Sequence, residues 1–263
     1  EIAREKASVI QGLSGGVAVL NETTETAGIL AEVARDTEVL WFGGAASDFR
    51  LLEVAVGAFD TKVRAKILDQ DWSFTIGAAG QHLAMNALAA LAAVHAIGAD
   101  IGVAANALAD WRPPSGRGER WVVRGINLID DSYNANPLSI SAALDVLAHS
   151  EGNRVAILGD MLELGPEETA LHSVISRDQN LNNIDKVHCV GPLMRYLYEA
   201  LPNEKRGEWF QTSDQLAEQI DRLLLDGDVV MVKGSLGAKM GLIVDAIKNL
   251  GDARPLNETG GTA

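Results

Sequence analysis

Ile126-Asn127-Leu128-Ile129-Asp130-Asp131-Ser132-Tyr133-Asn134-Ala135-Asn136-Pro137 is the stretch from which the rest of the chain can be read. A mostly apolar run ends in two carboxylates and a polar loop follows. A proline then marks the first turn of a helix, where its missing N–H costs nothing. That is one βα unit, and the pattern recurs downstream. Val155-Ala156-Ile157-Leu158-Gly159, the run from Lys186 to Val190, and Val229-Val230-Met231-Val232 are further short apolar stretches, each followed by a helical pattern. Helices are expected over about 137–149 and 167–178. Continuous β-branched runs suit strands buried on both faces of a parallel sheet. The alternation predicts an α/β domain over 113–251: Rossmann-like, doubly wound and mostly parallel. Residues 252–263, rich in Gly, Asn and Thr, are expected to form a disordered tail.

Upstream the pattern changes. Val17-Ala18-Val19-Leu20-Asn21 and Val39-Leu40-Trp41-Phe42 read as parallel strands with a helix between them near 26–34. From Phe49 to Ile76 the alternation is looser, with turns at Gly57 and Asp69, which predicts antiparallel strands. A long Ala/Leu-rich helix is expected over 81–97, ended by Gly98, and a second over about 100–111. Arg112-Pro113-Pro114-Ser115-Gly116-Arg117-Gly118 breaks the pattern and marks the boundary between 1–112 and 113–251.

Composition narrows the function. Of 263 residues, 47% are hydrophobic and 22% charged, which excludes wholesale disorder. Thirty-six acidic against 22 basic residues give a net charge of −14. The excess is spread over both halves, so nucleic acid and anionic membrane are poor partners. An anionic small molecule needs only a few local donors. The single Cys189 excludes an internal disulfide framework and a four-cysteine zinc site, and its apolar surroundings predict a buried, inert thiol. No apolar stretch approaches the ~20 residues of a membrane span, and Glu1-Ile2-Ala3-Arg4-Glu5-Lys6 lacks the apolar core of a signal peptide. A cytoplasmic setting follows. The chain starts without a methionine and inside an expected helix, which predicts a further piece upstream.

No Gly-Lys dipeptide occurs, so the GxxxxGK[ST] phosphate loop is absent, as is GxGxxG after a strand. The five histidines lack metal-ligand spacing, so no metal site is expected. Four constellations remain. His82 and Asn86 are four residues apart near a helix start, where the dipole favours anions and an amide suits an adenine edge. A polar helix start packed on a neighbouring loop explains the same spacing, and spacing alone favours it. Arg117, in a glycine-flanked turn, is either a phosphate clamp or a solvated linker arginine. Asp130 to Asn136 carries more polar residues at a strand end than capping one helix requires, which favours a ligand site. Gly159-Asp160-Met161-Leu162-Glu163-Leu164-Gly165 and Lys233-Gly234-Ser235-Leu236-Gly237-Ala238-Lys239 follow two more strands. The second sets an ammonium and backbone amides at a helix start, and its glycine spacing suggests close ligand approach. Asp131, Asp160 and Lys233 line one crevice if sheet order brings these ends together.

With these residues assembled, the chain resembles the Mur ligase family. Leu128 to Pro137, Leu158 to Gly165 and Val232-Lys233-Gly234-Ser235 match the branch that adds D-alanyl-D-alanine to UDP-N-acetylmuramoyl-tripeptide. Gly80-Gln81-His82, Asn86 to Ala90, and Gly116-Arg117 match the family more broadly. The resemblance covers about residues 1–250. It implies ATP-dependent amide ligation through an acyl phosphate, in a bacterial cytoplasm, by an intact enzyme that is a monomer. It makes 1–112 the later part of a central ATPase-type domain with some antiparallel strands. By the resemblance, Lys233 and Arg117 are catalytic, and His82, Asn86, Arg117 and Asp131 bind ATP. Tyr133, Asn134, Asn136, Asp160 and Ser235 then face the substrates, UDP-muramoyl-tripeptide and D-alanyl-D-alanine. Magnesium (Mg2+) is implied, with its main ligands upstream, and the two domains would close about the 112–118 linker. With the phosphate loop and UDP-binding domain missing, the chain alone is expected to be inactive. A folylpolyglutamate synthase is the runner-up within the superfamily, disfavoured by the 131–136 and 159–165 runs. A non-catalytic ligand-binding module is the alternative from another class.

Overall fold

In the computed structural model the described residues are 2–57 and 59–256. They form two compact units, the first ending at Arg112 and the second beginning at Pro113.

In the first unit, α1 (Ile2–Ala7) and a 3-10 turn (Ser8–Gly12) lead to β1 (Val17–Asn21), α2 (Ala27–Val33) and β2 (Glu38–Phe42). Then come β3 (Phe49–Val56), β4 (Thr61–Ile67), β5 (Gln70–Ile76), α3 (Gln81–Ala96) and α4 (Ile101–Ala107). One sheet runs in the order β1-β2-β3-β4-β5, parallel from β1 to β3 and antiparallel from β3 to β5. Strand β4 has the period of two expected of a half-buried strand: Thr61, Val63, Ala65 and Ile67 are buried, while Lys62 and Arg64 are exposed. Its buried face packs with Ala84, Ala87, Leu88, Leu91 and Ala92 of α3 in one core. The expected turn at Asp69 is a tight hairpin in which Leu68 and Asp69 both adopt positive φ, 49° and 65°.

The second unit begins with β6 (Glu119–Val123), β7 (Ile126–Asp131), α5 (Pro137–Ala148), β8 (Asn153–Gly159) and α6 (Glu168–Val174). It continues through β9 (Lys186–Val190), α7 (Met194–Ala200), β10 (Arg206–Phe210), α8 (Ser213–Ala217) and α9 (Ile220–Leu223). It closes with β11 (Asp228–Lys233), α10 (Gly241–Lys248) and β12 (Arg254–Pro255). The sheet order is β10-β9-β8-β11-β7-β6-β12. The five strands from β10 to β7 are parallel; β6 and β12 are antiparallel additions at one edge. The mostly parallel, doubly wound α/β fold expected from the apolar runs is therefore present, in a mixed α/β chain with parallel and antiparallel sheets. One expectation fails: Arg254 and Pro255, placed in the disordered tail, pair with Val122 and Trp121. The remainder of that tail, 257–263, lies outside the described residues.

All six residues of β11 are buried. Val229 and Met231 join a core with α5 and α7, while Val230 and Val232 join one with α8, α9 and α10. Helices on both faces explain why these strands read as unbroken apolar runs. Strand β11 lies between β7 and β8, yet its following helix packs on the opposite face from α5, which follows β7. This is a topological switch point, and the crevice at its carboxyl end is where open α/β sheets bind ligands.

Candidate functional site

Lys233 ends β11 at that switch point, in register with Asp131 of β7 on one side and Leu158 of β8 on the other. The Nζ donates to Asp131 Oδ2 at 2.6 Å and to the Asn134 carbonyl at 2.9 Å. The Lys233 side chain is 3% exposed and that of Asp131 23%, so the ammonium is held by a charge-assisted bond largely out of water. The sheet thus joins two of the expected residues although they lie 102 positions apart. Asn134 contributes its carbonyl to Lys233, while its side-chain oxygen accepts the Ala135 N–H.

Ser235 ties three strand ends together. Its Oγ accepts the Leu162 N–H at 2.9 Å and donates to the Ala135 carbonyl, and its own N–H donates to the Asp160 carbonyl. It is 4% exposed. Gly234 permits that closeness: a Cβ there would come within 3.0 Å of the Gly159 Cα and 2.5 Å of Met240 Cγ. The glycine spacing thus serves packing between loops, where the sequence suggested close approach of a ligand.

Asp160 is buried too, but its carboxylate points elsewhere. Oδ1 accepts the Met194 N–H at 2.7 Å, fixing the start of α7. Burial pushes its pKa above the ordinary carboxylate range, with the Met194 and Leu193 amides pulling against that. For an acid raised in this way the native state holds more protons than the unfolded chain just above the ordinary pKa. Stability therefore falls as pH rises through that window. Asp160→Asn keeps an acceptor for Met194 and removes the buried charge. Its thermal midpoint at neutral pH should match or exceed the wild type, and its acid-range slope should flatten. A clear loss at neutral pH would argue that the charge itself is needed.

The polar run after β7 is partly spent on local structure. Asp130 Oδ1 accepts from Ser132 N and Oγ. Asn136 caps α5 in a reciprocal box with Ser139. Tyr133 is 46% exposed and lies under the Arg117 guanidinium, whose Cζ is 4.2 Å from the ring centroid.

In the first unit, His82 and Asn86 both lie on α3 and both are exposed. The start of that helix is held by Thr61, fully buried, whose Oγ1 donates to the Ala78 carbonyl and accepts the Gly80 N–H. Neither Thr61 nor His172, which is fully buried beneath the Asp160 loop, stands out in the sequence. His172 Nε2 accepts the Met161 N–H at 2.9 Å and Nδ1 donates to the Glu168 carbonyl, which sets the neutral tautomer. A lone histidine on a helix carried no signal of either contact. Cys189 is buried, and burial pushes its thiol pKa up, consistent with the inert role expected. Among the described residues, no group of three or more His, Cys, Asp or Glu could hold a metal ion. No helix there is long and apolar enough to cross a membrane.

Residues 116–236 match the family described as Mur ligase, glutamate ligase domain. The UDP-N-acetylmuramoyl-tripeptide–D-alanyl-D-alanine ligase of Rickettsia prowazekii (strain Madrid E) is 29% identical over 93% of this chain and 56% of its own length. That of Escherichia coli (strain K12) is 30% identical over 95% and 56%. A crystal structure of MurF from Acinetobacter baumannii superposes with a TM-score of 0.84 at 25% identity, covering 94% of this chain and 55% of that one. The chain thus spans about half the length of the relatives it matches.

Proposed function

We propose, from the premise that this chain carries a Mur ligase, glutamate ligase domain over residues 116–236, that it works as the later part of an ATP-dependent amide ligase. The reaction joins D-alanyl-D-alanine to UDP-N-acetylmuramoyl-tripeptide in the cytoplasm of a bacterium. The observation that carries this reading is similarity to ligases of that name along more than nine-tenths of the chain. The geometry at the end of β11 supports it.

In such a ligation the peptide carboxylate takes the γ-phosphoryl group of ATP and ADP leaves. The dipeptide amine then attacks the acyl carbon, loses a proton, and expels phosphate as the amide forms. Bound magnesium supplies charge neutralisation on the phosphates; the described residues offer no three-ligand set of their own for it. Arg117 offers an exposed, planar guanidinium to a phosphate. Lys233 holds positive charge within the crevice, where developing negative charge is stabilised best. Asp131 keeps that ammonium oriented and presents a partly exposed carboxylate to a hydroxyl-bearing ligand. Ser235 holds the three surrounding loops in place. His82 and Asn86 stand as candidate nucleotide contacts in the first unit.

Calorimetric titration of the chain with D-alanyl-D-alanine and with ATP–magnesium tests this reading. Saturable binding of both, and none of L-alanyl-L-alanine, is the expected result. A folded chain that takes up neither ligand would count against it.

A further inference from the structure

We propose that Tyr133 is a positioning residue, whose ring rather than its hydroxyl holds the Arg117 guanidinium ready for an oxyanion at the carboxyl end of β7. The inference rests on the ligase reading above, which supplies the oxyanion as the phosphates of ATP.

The stack is built from both sides. The turn carrying Arg117 is closed by its own N–H donating to the Pro114 carbonyl at 3.0 Å. Two further backbone bonds tie that turn to the loop after β7: Tyr133 N–H to the Gly116 carbonyl at 2.9 Å, and Gly118 N–H to the Asp130 carbonyl at 2.7 Å. Gly116 makes the approach feasible. Its φ is +73°, and a Cβ there would lie 3.1 Å from Tyr133 Cβ and 3.2 Å from its N. The backbone therefore delivers the ring and the arginine to one another, and the guanidinium sits 4.2 Å from the ring centroid.

Neither group is otherwise accounted for. Among the described residues the Arg117 guanidinium has no carboxylate or carbonyl partner, in a chain with 36 acidic residues to choose from. The Tyr133 hydroxyl has no hydrogen-bond partner there either, and the ring stays 46% exposed, so it is not there to fill a core. An arginine paired to an acid would have to break that pair to bind an anion. One stacked on a π face keeps all five donors in the guanidinium plane free while losing much of its rotamer freedom beforehand.

The test is ATP–magnesium affinity of the chain by titration, beside the NMR shift of the Arg117 Nε–H, which a ring current displaces. Tyr133→Phe should keep both the shift and the affinity. Tyr133→Leu should lose the shift and weaken ATP by about fivefold, the scale of a cation–π contact. Arg117→Lys should weaken it comparably. In an Arg117→Ala background Tyr133→Leu should have no further effect, because the ring acts through the arginine. Thermal midpoints should stay close to wild type throughout, since both side chains are exposed. Equal affinity in Tyr133→Leu, or an additive loss in the Arg117→Ala background, would overturn the positioning role and leave the ligase reading standing. A ring-shifted Arg117 signal that ATP does not perturb would overturn the ligase reading at this site, and the inference with it.

Discussion

Replacing Lys233 by Met should lower the stability of the second unit by about 3 kcal/mol, the low end for breaking a buried ion pair because Asp131 keeps some contact with water. Methionine fills most of the volume but leaves Asp131 Oδ2 without its ammonium and the Asn134 carbonyl without its donor. The loss should appear as a lower urea midpoint with an unchanged slope, followed through the amides of β11. Combining Lys233→Met with Asp131→Asn should recover part of it, since the carboxylate charge that faced the lost ammonium is removed with it. A double variant that simply sums the two single losses would mean the pair is not coupled. The same substitution removes the cation that the proposed chemistry places beside the reacting groups, so stability and activity should fall together.

Gly191→Ala should be as damaging, although it lies away from Lys233. Gly191 has a φ of +107°, and a Cβ there would sit 2.4 Å from the carboxylate of Asp160. The new methyl group imposes a strained backbone and drives the carboxylate off the Met194 N–H. Together these cost about 3 kcal/mol, from the positive-φ penalty and the lost cap. The thermal midpoint should drop by roughly 10 °C. In an Asp160→Ala background the same change should cost less, leaving only the backbone strain. An equal cost there would mean that the carboxylate is not what the methyl group meets.

How much of this was legible beforehand depends on what each residue is doing. Strands β7, β8, β9 and β11 were readable because helices on both faces force continuous apolar runs. Strand β6, Glu119-Arg120-Trp121-Val122-Val123, carries charge near the edge of the sheet, and β10, Arg206-Gly207-Glu208-Trp209-Phe210, is an edge strand only partly buried. Neither has a period or an apolar run to betray it. The pairing of Lys233 with Asp131 could be stated only conditionally, because strand order is a property of the sheet and not of either segment. The polar run after β7 shows the opposite difficulty. Asp130, Asn134 and Asn136 are the residue types a ligand site uses, but the same short side chains cap helices and close turns. The folded chain, not the spacing, assigns Asn136 to the α5 cap and Asp160 to the α7 start. Arg117 was an even choice between clamp and linker; the Tyr133 ring beneath it is what supports the clamp.

The most direct measurement is phosphate release from ATP by the complete polypeptide encoded with this chain, supplied with magnesium, UDP-N-acetylmuramoyl-tripeptide and D-alanyl-D-alanine. The expected result is release that requires both the tripeptide and the dipeptide, with a product heavier by the dipeptide less water, and a loss of about a hundredfold in Lys233→Met. Release that proceeds equally without the dipeptide, or a folded enzyme that forms no amide product, would contradict it.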